Sequence, residues 1–240
     1  MIIPRKPYQH RKLSGNFGHL LNGYPMKLCQ SIVNTHLCRR LLAIALLLLA
    51  SSCSVSTITL EGNYPSPLVR KIPITVGVYY PEELRNFSYV EIDDYSGKDQ
   101  YIVNSGASQI ELFNTVLPAL FQNVVLLDDL DGIAGNTTLD AVFVPAIEEF
   151  QLGLPSKTKL KVFEIWLKYN MRLSKTNGDY IADWVMTAYG KSPDENFESV
   201  DSGVQDAAVV AMRDLAASFT LGFTGVPGVN DWLKDNNFTP

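Results

Sequence analysis

Apolar and polar residues alternate along a stretch in the second half of the chain, which is the pattern of a half-buried β-strand. The stretch is Lys159–Leu173, and a second run rich in β-forming residues follows at Ile181–Tyr189. Asn177-Gly178 lies between them and favours a two-residue hairpin turn, which would pair Thr176 with Asp179. The two runs are therefore predicted to be neighbouring antiparallel strands. The core-facing positions of the first run are Phe163, Ile165, Leu167, Tyr169, Met171 and Leu173.

Three further segments predict strands because they are short, apolar and rich in β-branched or aromatic residues. They are Ile72–Tyr80, Val124–Leu127 and Leu139–Leu152. The segment Glu82–Asn104 is aromatic but acidic, and it allows two interpretations. It is either a loop or a short hairpin through Tyr89–Ile92 and Gln100–Val103.

Two amphipathic helices are predicted from apolar residues at helical spacing. The first begins at a capping box formed by Ser108 and Glu111. The second runs from Ser199 or Ser202 to Phe223, and a short helix follows it. The buried stripe of the second helix comprises Val204, Ala208, Ala211, Leu215 and Phe219, and the short helix lies around Asn230–Lys234.

The element order β-α-β-β-β-β-α predicts an α+β fold, a two-layer α/β sandwich. Its mostly antiparallel sheet has about five strands, with the two main helices on one face. This single domain is expected to span residues 71–240. Residues 53–70 are polar and contain prolines without a sustained pattern, so they are expected to be a flexible tether that reaches about 20–25 Å.

The segment before the tether has the organisation of a secretory signal. An apolar run, Leu41–Ala50, follows Arg39 and Arg40, and it is about half as long as a membrane-spanning helix requires. A signal of ordinary size would begin at Met26 and occupy residues 26–52. Residues 1–25 are then either an extension that is not part of the natural protein or an unusually long basic leader.

The end of this run, Ala50-Ser51-Ser52-Cys53, resembles the lipobox of bacterial lipoproteins. It departs from the usual pattern because Ala50 stands where leucine is preferred. The resemblance implies that Cys53 becomes the lipid-bearing first residue of the mature protein and attaches it to a membrane. Ser54 follows in place of Asp, which implies the outer membrane, with the protein facing the periplasm. The alternative is a plain secreted binding protein in which Cys53 is incidental.

The predicted element order behind a lipobox is also similar to that of the ABC-transport auxiliary lipoproteins. This resemblance implies a non-enzymatic accessory factor for transport or assembly in the cell envelope, with an envelope protein as partner. A different function that fits the same fold is a carrier, which would hold a lipid or another small apolar ligand between the helices and the sheet.

Charge and the distribution of cysteine and histidine narrow the possible functions. From Cys53 onward the chain has 13 basic and 25 acidic residues, a formal net charge of −12, which disfavours nucleic-acid binding. All three cysteines lie at or before Cys53, and all three histidines lie before it. The mature chain therefore has no Ser-His-Asp triad, Cys-His pair or typical zinc site. We expect no catalytic residues, no metal and no cofactor.

Three weaker motifs are interpreted as ordinary surface features. The acids Asp128, Asp129 and Asp131 precede Gly132 but lack half of the ligands of an EF-hand loop. Ser156-Lys157-Thr158-Lys159 matches Ser-x-x-Lys without the partner motifs of the serine β-lactam-binding enzymes. Glu148-Glu149 would point to opposite faces of a strand, so the two cannot flank one sugar bond.

The outward face of the predicted hairpin carries the candidate binding residues. The turn register places Trp166 opposite Tyr189 and Asn170 opposite Val185. A large aromatic pair with a polar rim is typical of a protein-binding site, which makes Trp166, Tyr189 and Val185 the candidates. In the alternative interpretation, Glu82–Asn104 folds over the pair and buries it. The same register places Met171 opposite Trp184 and Arg172 opposite Asp183.

Overall fold

The computed structural model describes residues 39–40, 55–93, 99–158, 160–192 and 199–238. The predicted signal, apart from Arg39-Arg40, and the lipobox with Cys53 lie outside the described residues. In chain order the described elements are β1 Val55–Thr59, β2 Ile72–Tyr79, α1 Glu82–Arg85, β3 Ser88–Ile92, β4 Gln100–Asn104, α2 Gly106–Leu120, β5 Phe121–Leu127, β6 Ala141–Gly153, α3 Pro155–Thr158, β7 Glu164–Ser174, β8 Tyr180–Lys191, α4 Val200–Gly222, a 3-10 turn Phe223–Gly225, and α5 Pro227–Asp235.

The large sheet contains the five strands that the sequence predicts, in the order β5-β2-β6-β7-β8, and the α+β class is confirmed. The sheet is mixed and not mostly antiparallel as predicted: β2 runs parallel to both β5 and β6, whereas β6, β7 and β8 are antiparallel. The pairing of β2 with β5 is parallel because the connection between these strands includes α2, and a crossover of this kind returns the chain to the end of the sheet at which β2 starts. The loop of residues 128–140 then brings β6 to the other side of β2 in the same direction.

A second sheet of three strands, β1-β4-β3, was predicted only in part. The hairpin interpretation of Glu82–Asn104 is correct, because β3 and β4 pair antiparallel. The tether predicted for residues 53–70 is wrong from Val55 onward, because β1 pairs parallel with β4. Ile58, Leu60 and Tyr64 are buried in the core. β4 lies about 45 residues after β1 in the sequence, so no local pattern predicts that the two strands pair.

Both main helices lie on the same face of the large sheet, and aromatic rings join them to it. Phe113 of α2 makes edge contacts with Phe143 and Tyr169 of the sheet and with Phe219 of α4, at centroid distances of 5.9 to 6.4 Å. The predicted stripe of α4 is confirmed, since all five of its residues are buried. The aromatic contacts fix the two helices against the middle of the sheet.

The two helices start differently. α4 begins at the first of the two predicted positions: Ser199 is its N-cap residue and forms a capping box with Ser202. The capping box predicted at Ser108 is wrong, because α2 starts at Gly106 and its N-terminal residue has no side-chain cap. Ser108 is buried, and its Oγ shares a hydrogen bond of 2.6 Å with Tyr64 Oη. The helix starts early because Gly106 fits tightly against the backbone of Arg85, where an added Cβ would lie 2.1 Å from the carbonyl oxygen.

By length and composition alone, Val200–Gly225 could cross a membrane. Its sheet-facing stripe is nevertheless buried inside the domain, and its other faces carry Asp206, Arg213 and Asp214. These features are those of a core helix that covers one side of a sheet.

Candidate functional site

The outer face of the large sheet, opposite the helices, carries a group that we call the outer-face cluster: Trp166, Tyr189 and Val185. The predicted register is confirmed, with Trp166 opposite Tyr189 and Asn170 opposite Val185. The rings of Trp166 and Tyr189 lie 4.3 Å apart between centroids. Trp166 and Val185 are 51% and 52% exposed. The sheet therefore presents a preformed aromatic pair to the solvent.

The hairpin turn that sets this register differs locally from the prediction. Lys175 N donates to Asp179 O at 2.8 Å, and Gly178 N donates to Lys175 O at 3.0 Å, so the loop contains three residues. Gly178 has a φ of +89°, a left-handed conformation that suits glycine. An irregularity next to Leu173 adds one residue on β8 and restores the predicted pairing beyond it. The other predicted pairs, Met171 with Trp184 and Arg172 with Asp183, are also present.

The alternative interpretation, in which Glu82–Asn104 covers the aromatic pair, is wrong for the described residues of that segment. Phe87 and Tyr89 place their rings 5.9 and 5.0 Å from that of Phe150. Phe150 pairs with Leu167 and faces the core, so it lies on the opposite side of the sheet from Trp166. The segment packs on the inner side and leaves the outer-face cluster open.

Polar side chains around the cluster are held by specific partners. Tyr189 Oη donates to Glu164 Oε1 at 2.5 Å. This hydrogen bond to a carboxylate, together with partial burial and the negative charge of Glu164, raises the pKa of Tyr189 to about 12. Tyr189 is therefore a neutral hydrogen-bonded phenol at physiological pH.

Two ion pairs complete the rim. Lys168 Nζ lies 2.7 Å from Glu148 Oε2, and this contact raises the pKa of Lys168. Arg172 Nε lies 3.5 Å from Asp183 Oδ2, and Asp183 also accepts a hydrogen bond from Asn170 Nδ2 at 2.6 Å. A shallow cavity of about 140 Å³ lies beside the cluster. Its lining comprises Glu149, Gln151, Trp166, Leu167, Lys168 and Thr187.

Aromatic side chains fill the space between the helices and the large sheet. Tyr169 is fully buried, and its Oη donates to Gln109 Oε1 at 2.6 Å. Gln109 Nε2 in turn donates to Ser105 Oγ at 2.8 Å, so the buried polar groups satisfy one another. Phe113, Phe143 and Phe219 occupy the remaining volume, and this is the place in which a carrier would hold its ligand.

Sequence analysis missed an open apolar groove of about 340 Å³ on the outer side of α4. The segment 64–69 forms its other wall, and this segment falls in the stretch that was predicted to be a tether. A local signal existed, since Ala216, Ala217 and Leu221 are apolar but lie outside the predicted buried stripe of α4. The groove is lined by Tyr64, Pro65, Ser66, Pro67, Val69, Arg213, Ala216, Ala217, Thr220 and Leu221.

The weaker motifs have structural roles. In the acidic loop, Asp131 N donates to Asp129 Oδ1 at 2.9 Å, which is a local turn. Ser156 Oγ donates to Asp93 Oδ2 at 3.2 Å. Glu148 and Glu149 are both exposed because β6 has an irregularity between Ile147 and Glu149. Within the described residues, no group of three or more His, Cys, Asp or Glu side chains could hold a metal ion.

No family model matches the chain, and no curated protein matches it in sequence. Three solved structures illustrate what the fold resembles. A Xanthomonas campestris protein described by the DUF330 family model has a TM-score of 0.42 at 11% identity, covering 72% of this chain and 97% of its own. A Helicobacter pylori homologue of a neuraminyllactose-binding hemagglutinin has a TM-score of 0.43 at 11% identity, covering 76% and 100%.

The third structure is a minor lipoprotein from Acinetobacter baumannii, with a TM-score of 0.33 at 18% identity. It covers 66% of this chain and 94% of its own. Likeness at this level carries no argument about function, because one architecture serves many unrelated activities.

Proposed function

We propose that this chain is a lipid-anchored lipoprotein of the outer membrane that faces the periplasm and acts without catalysis. In this proposal it is an accessory factor for transport or assembly, and it binds an envelope protein through the outer-face cluster. The lipobox-like sequence ending at Cys53 supports the anchor. The observation that carries the binding role is the open Trp166–Tyr189 pair on the face of the sheet that no described element covers.

The chemistry of this face favours a protein as the partner. Binding energy at protein interfaces is concentrated in a few aromatic and arginine side chains, with a polar rim that excludes water. Here the two rings are held by the sheet and by the Tyr189–Glu164 hydrogen bond, so little conformational entropy is lost when they are covered. Lys168 and Arg172 already have carboxylate partners and give the rim both signs of charge. A partner is expected to complement these charges at the edge of the interface.

The carrier hypothesis has less support. A ligand between the helices and the sheet would have to displace buried rings such as Phe113 and Tyr169. Removing a large aromatic side chain from a core typically costs about 3–5 kcal/mol. An apolar compound that copurifies with the protein would favour the carrier over the accessory role.

The double substitution Trp166→Ala and Tyr189→Ala tests the proposal. Trp166 is half exposed and Tyr189 is partly exposed, so each truncation is expected to cost less than the about 3–5 kcal/mol of a buried aromatic side chain, which leaves a typical domain folded. We expect the variant to reach the membrane normally and to lose the envelope protein that copurifies with the native chain. Leu221→Ala is the control, because Leu221 is a large apolar residue, 79% exposed, at the end of α4, which covers the opposite face of the sheet. Unchanged copurification in the double variant would refute the binding role.

A further inference from the structure

The three-stranded sheet has an outward face without a charged residue. Residues that alternate with the buried Ile58 and Val103 point away from the core and form three rows across the sheet. Val55, Val90 and Ile92 are 55%, 47% and 55% exposed. The three rows are Val55–Gln100–Ile92, Thr57–Ile102–Val90 and Thr59–Asn104–Ser88. We call these nine positions the small-sheet face.

The absence of charge at these nine positions contrasts with the body from Cys53 onward, which has a net charge of −12. Exposed apolar groups that stand together mark a contact with another molecule or with a membrane. The apolar members concentrate in the rows that contain Val55 and Val90. These rows lie at the start of β1, which is the end of the domain closest to Cys53 along the chain.

The length of chain before β1 decides what this face can contact. Cys53 precedes Val55 by two residues, and an extended chain spans at most about 3.6 Å per residue. The Cα atoms of the two residues are therefore no more than about 7 Å apart. If Cys53 carries the lipid, as the proposed function assumes, Val55 must lie at the surface of the bilayer. The tether of about 20–25 Å expected from the sequence is too long, because Val55–Thr59, which was predicted to be part of it, forms β1.

We propose that the small-sheet face rests against the membrane that holds the lipid anchor, with Val55, Val90 and Ile92 at the boundary of headgroups and acyl chains. The lipid anchor removes most of the entropic cost of association, so a modest apolar area is sufficient. Asp201 and Glu61 line a concavity beside Thr57 and Thr59 at the edge of this sheet. These acids disfavour anionic lipid, so the surface that fits is one of zwitterionic headgroups.

This docking fixes the direction in which the outer-face cluster points. Tyr89, on the inner side of the small sheet, contacts Phe150 on the inner side of the large sheet. The two outward faces therefore lie on different sides of the domain. With the small-sheet face on the membrane, Trp166 and Tyr189 do not share the membrane-contacting face and are open to a partner.

Single cysteines make the test direct in the processed, lipidated chain, because Cys29 and Cys38 lie in the removed signal and the thiol of Cys53 carries the lipid. The lipidated chain is produced with Ile92→Cys or Val185→Cys, labelled with an environment-sensitive fluorophore, and placed in phosphatidylcholine vesicles that contain lipid-phase quenchers. The two positions are matched, since both are strand residues, 55% and 52% exposed, on different faces. Val90→Cys provides a second probe of the small-sheet face.

We expect several-fold stronger quenching at Ile92 and Val90 than at Val185. Equal quenching at all three positions, or stronger quenching at Val185, would overturn the docking. Shielding of the Ile92 probe that increases with protein concentration in detergent would indicate a second copy of the chain on this face, and it too would overturn the docking. The intact mass of the chain and its flotation with vesicles test the anchor separately. A chain that carries no lipid refutes the proposed function, whereas a lipidated chain without differential quenching refutes the docking alone.

Discussion

The phenol of Tyr189 reports on the outer-face cluster at the scale of a single residue. Its hydrogen bond to Glu164 is the largest cause of the raised pKa, which is about 12. Glu164→Gln removes the carboxylate charge and is expected to move the pKa of Tyr189 back towards 10, the ordinary value for tyrosine. The difference in phenolate absorbance between each protein and its Tyr189→Phe counterpart isolates this one titration. An unchanged midpoint in Glu164→Gln would show that the hydrogen bond is not its cause.

The same shift has a consequence for stability. The folded state holds Tyr189 in its neutral form more strongly than the unfolded state does, and this difference stabilises the fold. The stabilisation is fully present below about pH 10, the pKa of Tyr189 in the unfolded state. It is lost as the pH rises through the folded value of about 12. The pKa of Tyr89 is also raised to about 12, and burial raises the pKa of Tyr169. The free energy of unfolding is therefore expected to fall between about pH 10 and 12, and urea titrations at several pH values measure it. Constant stability over that range would contradict these shifts.

A second prediction at the scale of one residue concerns Cys53, on which the proposed lipid anchor depends. Cys53→Ser removes the thiol to which the lipid would be attached, so we expect an uncleaved or mislocalised precursor. Membrane fractionation and the intact mass of the chain measure this outcome. If the variant is processed normally and still fractionates with the outer membrane, the anchor does not depend on Cys53 and the plain secreted protein becomes the better interpretation.

At the scale of elements, α4 packs unusually close to β8. A Cβ added to Gly190 would lie 2.2 Å from Ala207 O and 2.3 Å from Ala211 N, and both are backbone atoms that cannot move aside. Gly190→Ala is therefore expected to destabilise the domain by about 3 kcal/mol, at the upper end of ordinary overpacking. Gly222→Ala is the control, because Gly222 is the last residue of α4 and has open space around it. Urea unfolding of the two variants measures the difference, and equal stabilities would contradict this packing.

The hairpin of β7 and β8 is the element that the sequence predicts best. Strict alternation of apolar residues determines which side of β7 is buried, and one strong turn signal determines its partner. The pairing of Trp166 with Tyr189 was predictable for this reason. The three-residue loop was not, because a compensating irregularity in β8 leaves the pairing beyond it unchanged.

The elements that the sequence does not predict are those whose partners are distant in the chain. Val55–Thr59 has polar residues at 56, 57 and 59 without regular alternation, and it becomes a strand because β4 supplies its hydrogen bonds. The start of α2 depends on the fit of Gly106 against Arg85, which local capping patterns do not contain. The candidate cluster was therefore predictable from residues that are close in sequence, whereas the small-sheet face required the three-dimensional structure.

At the scale of the whole molecule, the domain is expected to fold without metal, cofactor or disulfide. No histidine lies in the mature chain and no cysteine follows Cys53, and a domain of this size buries enough apolar surface to be stable alone. Thermal unfolding with and without a chelator and a reductant tests this expectation. A drop of several degrees in the midpoint with either reagent would contradict it.

At the same scale, two surfaces on different sides of the domain differ in chemistry. The small-sheet face is uncharged and includes Val55, which follows Cys53 by two residues, whereas the outer-face cluster is aromatic and has ion pairs at its rim. The proposed docking uses the first surface, and the proposed partner binding uses the second.

The measurement that tests this account most directly is photo-crosslinking in intact cells from a reactive amino acid placed at Val185. Val210 is the matched control, because it is a partly exposed valine on α4, which covers the other side of the sheet. We predict a specific protein adduct from position 185, none from position 210, and loss of the adduct when Trp166 and Tyr189 are replaced by alanine. Identical adducts from both positions, or an adduct at 185 that survives the double replacement, would contradict the account.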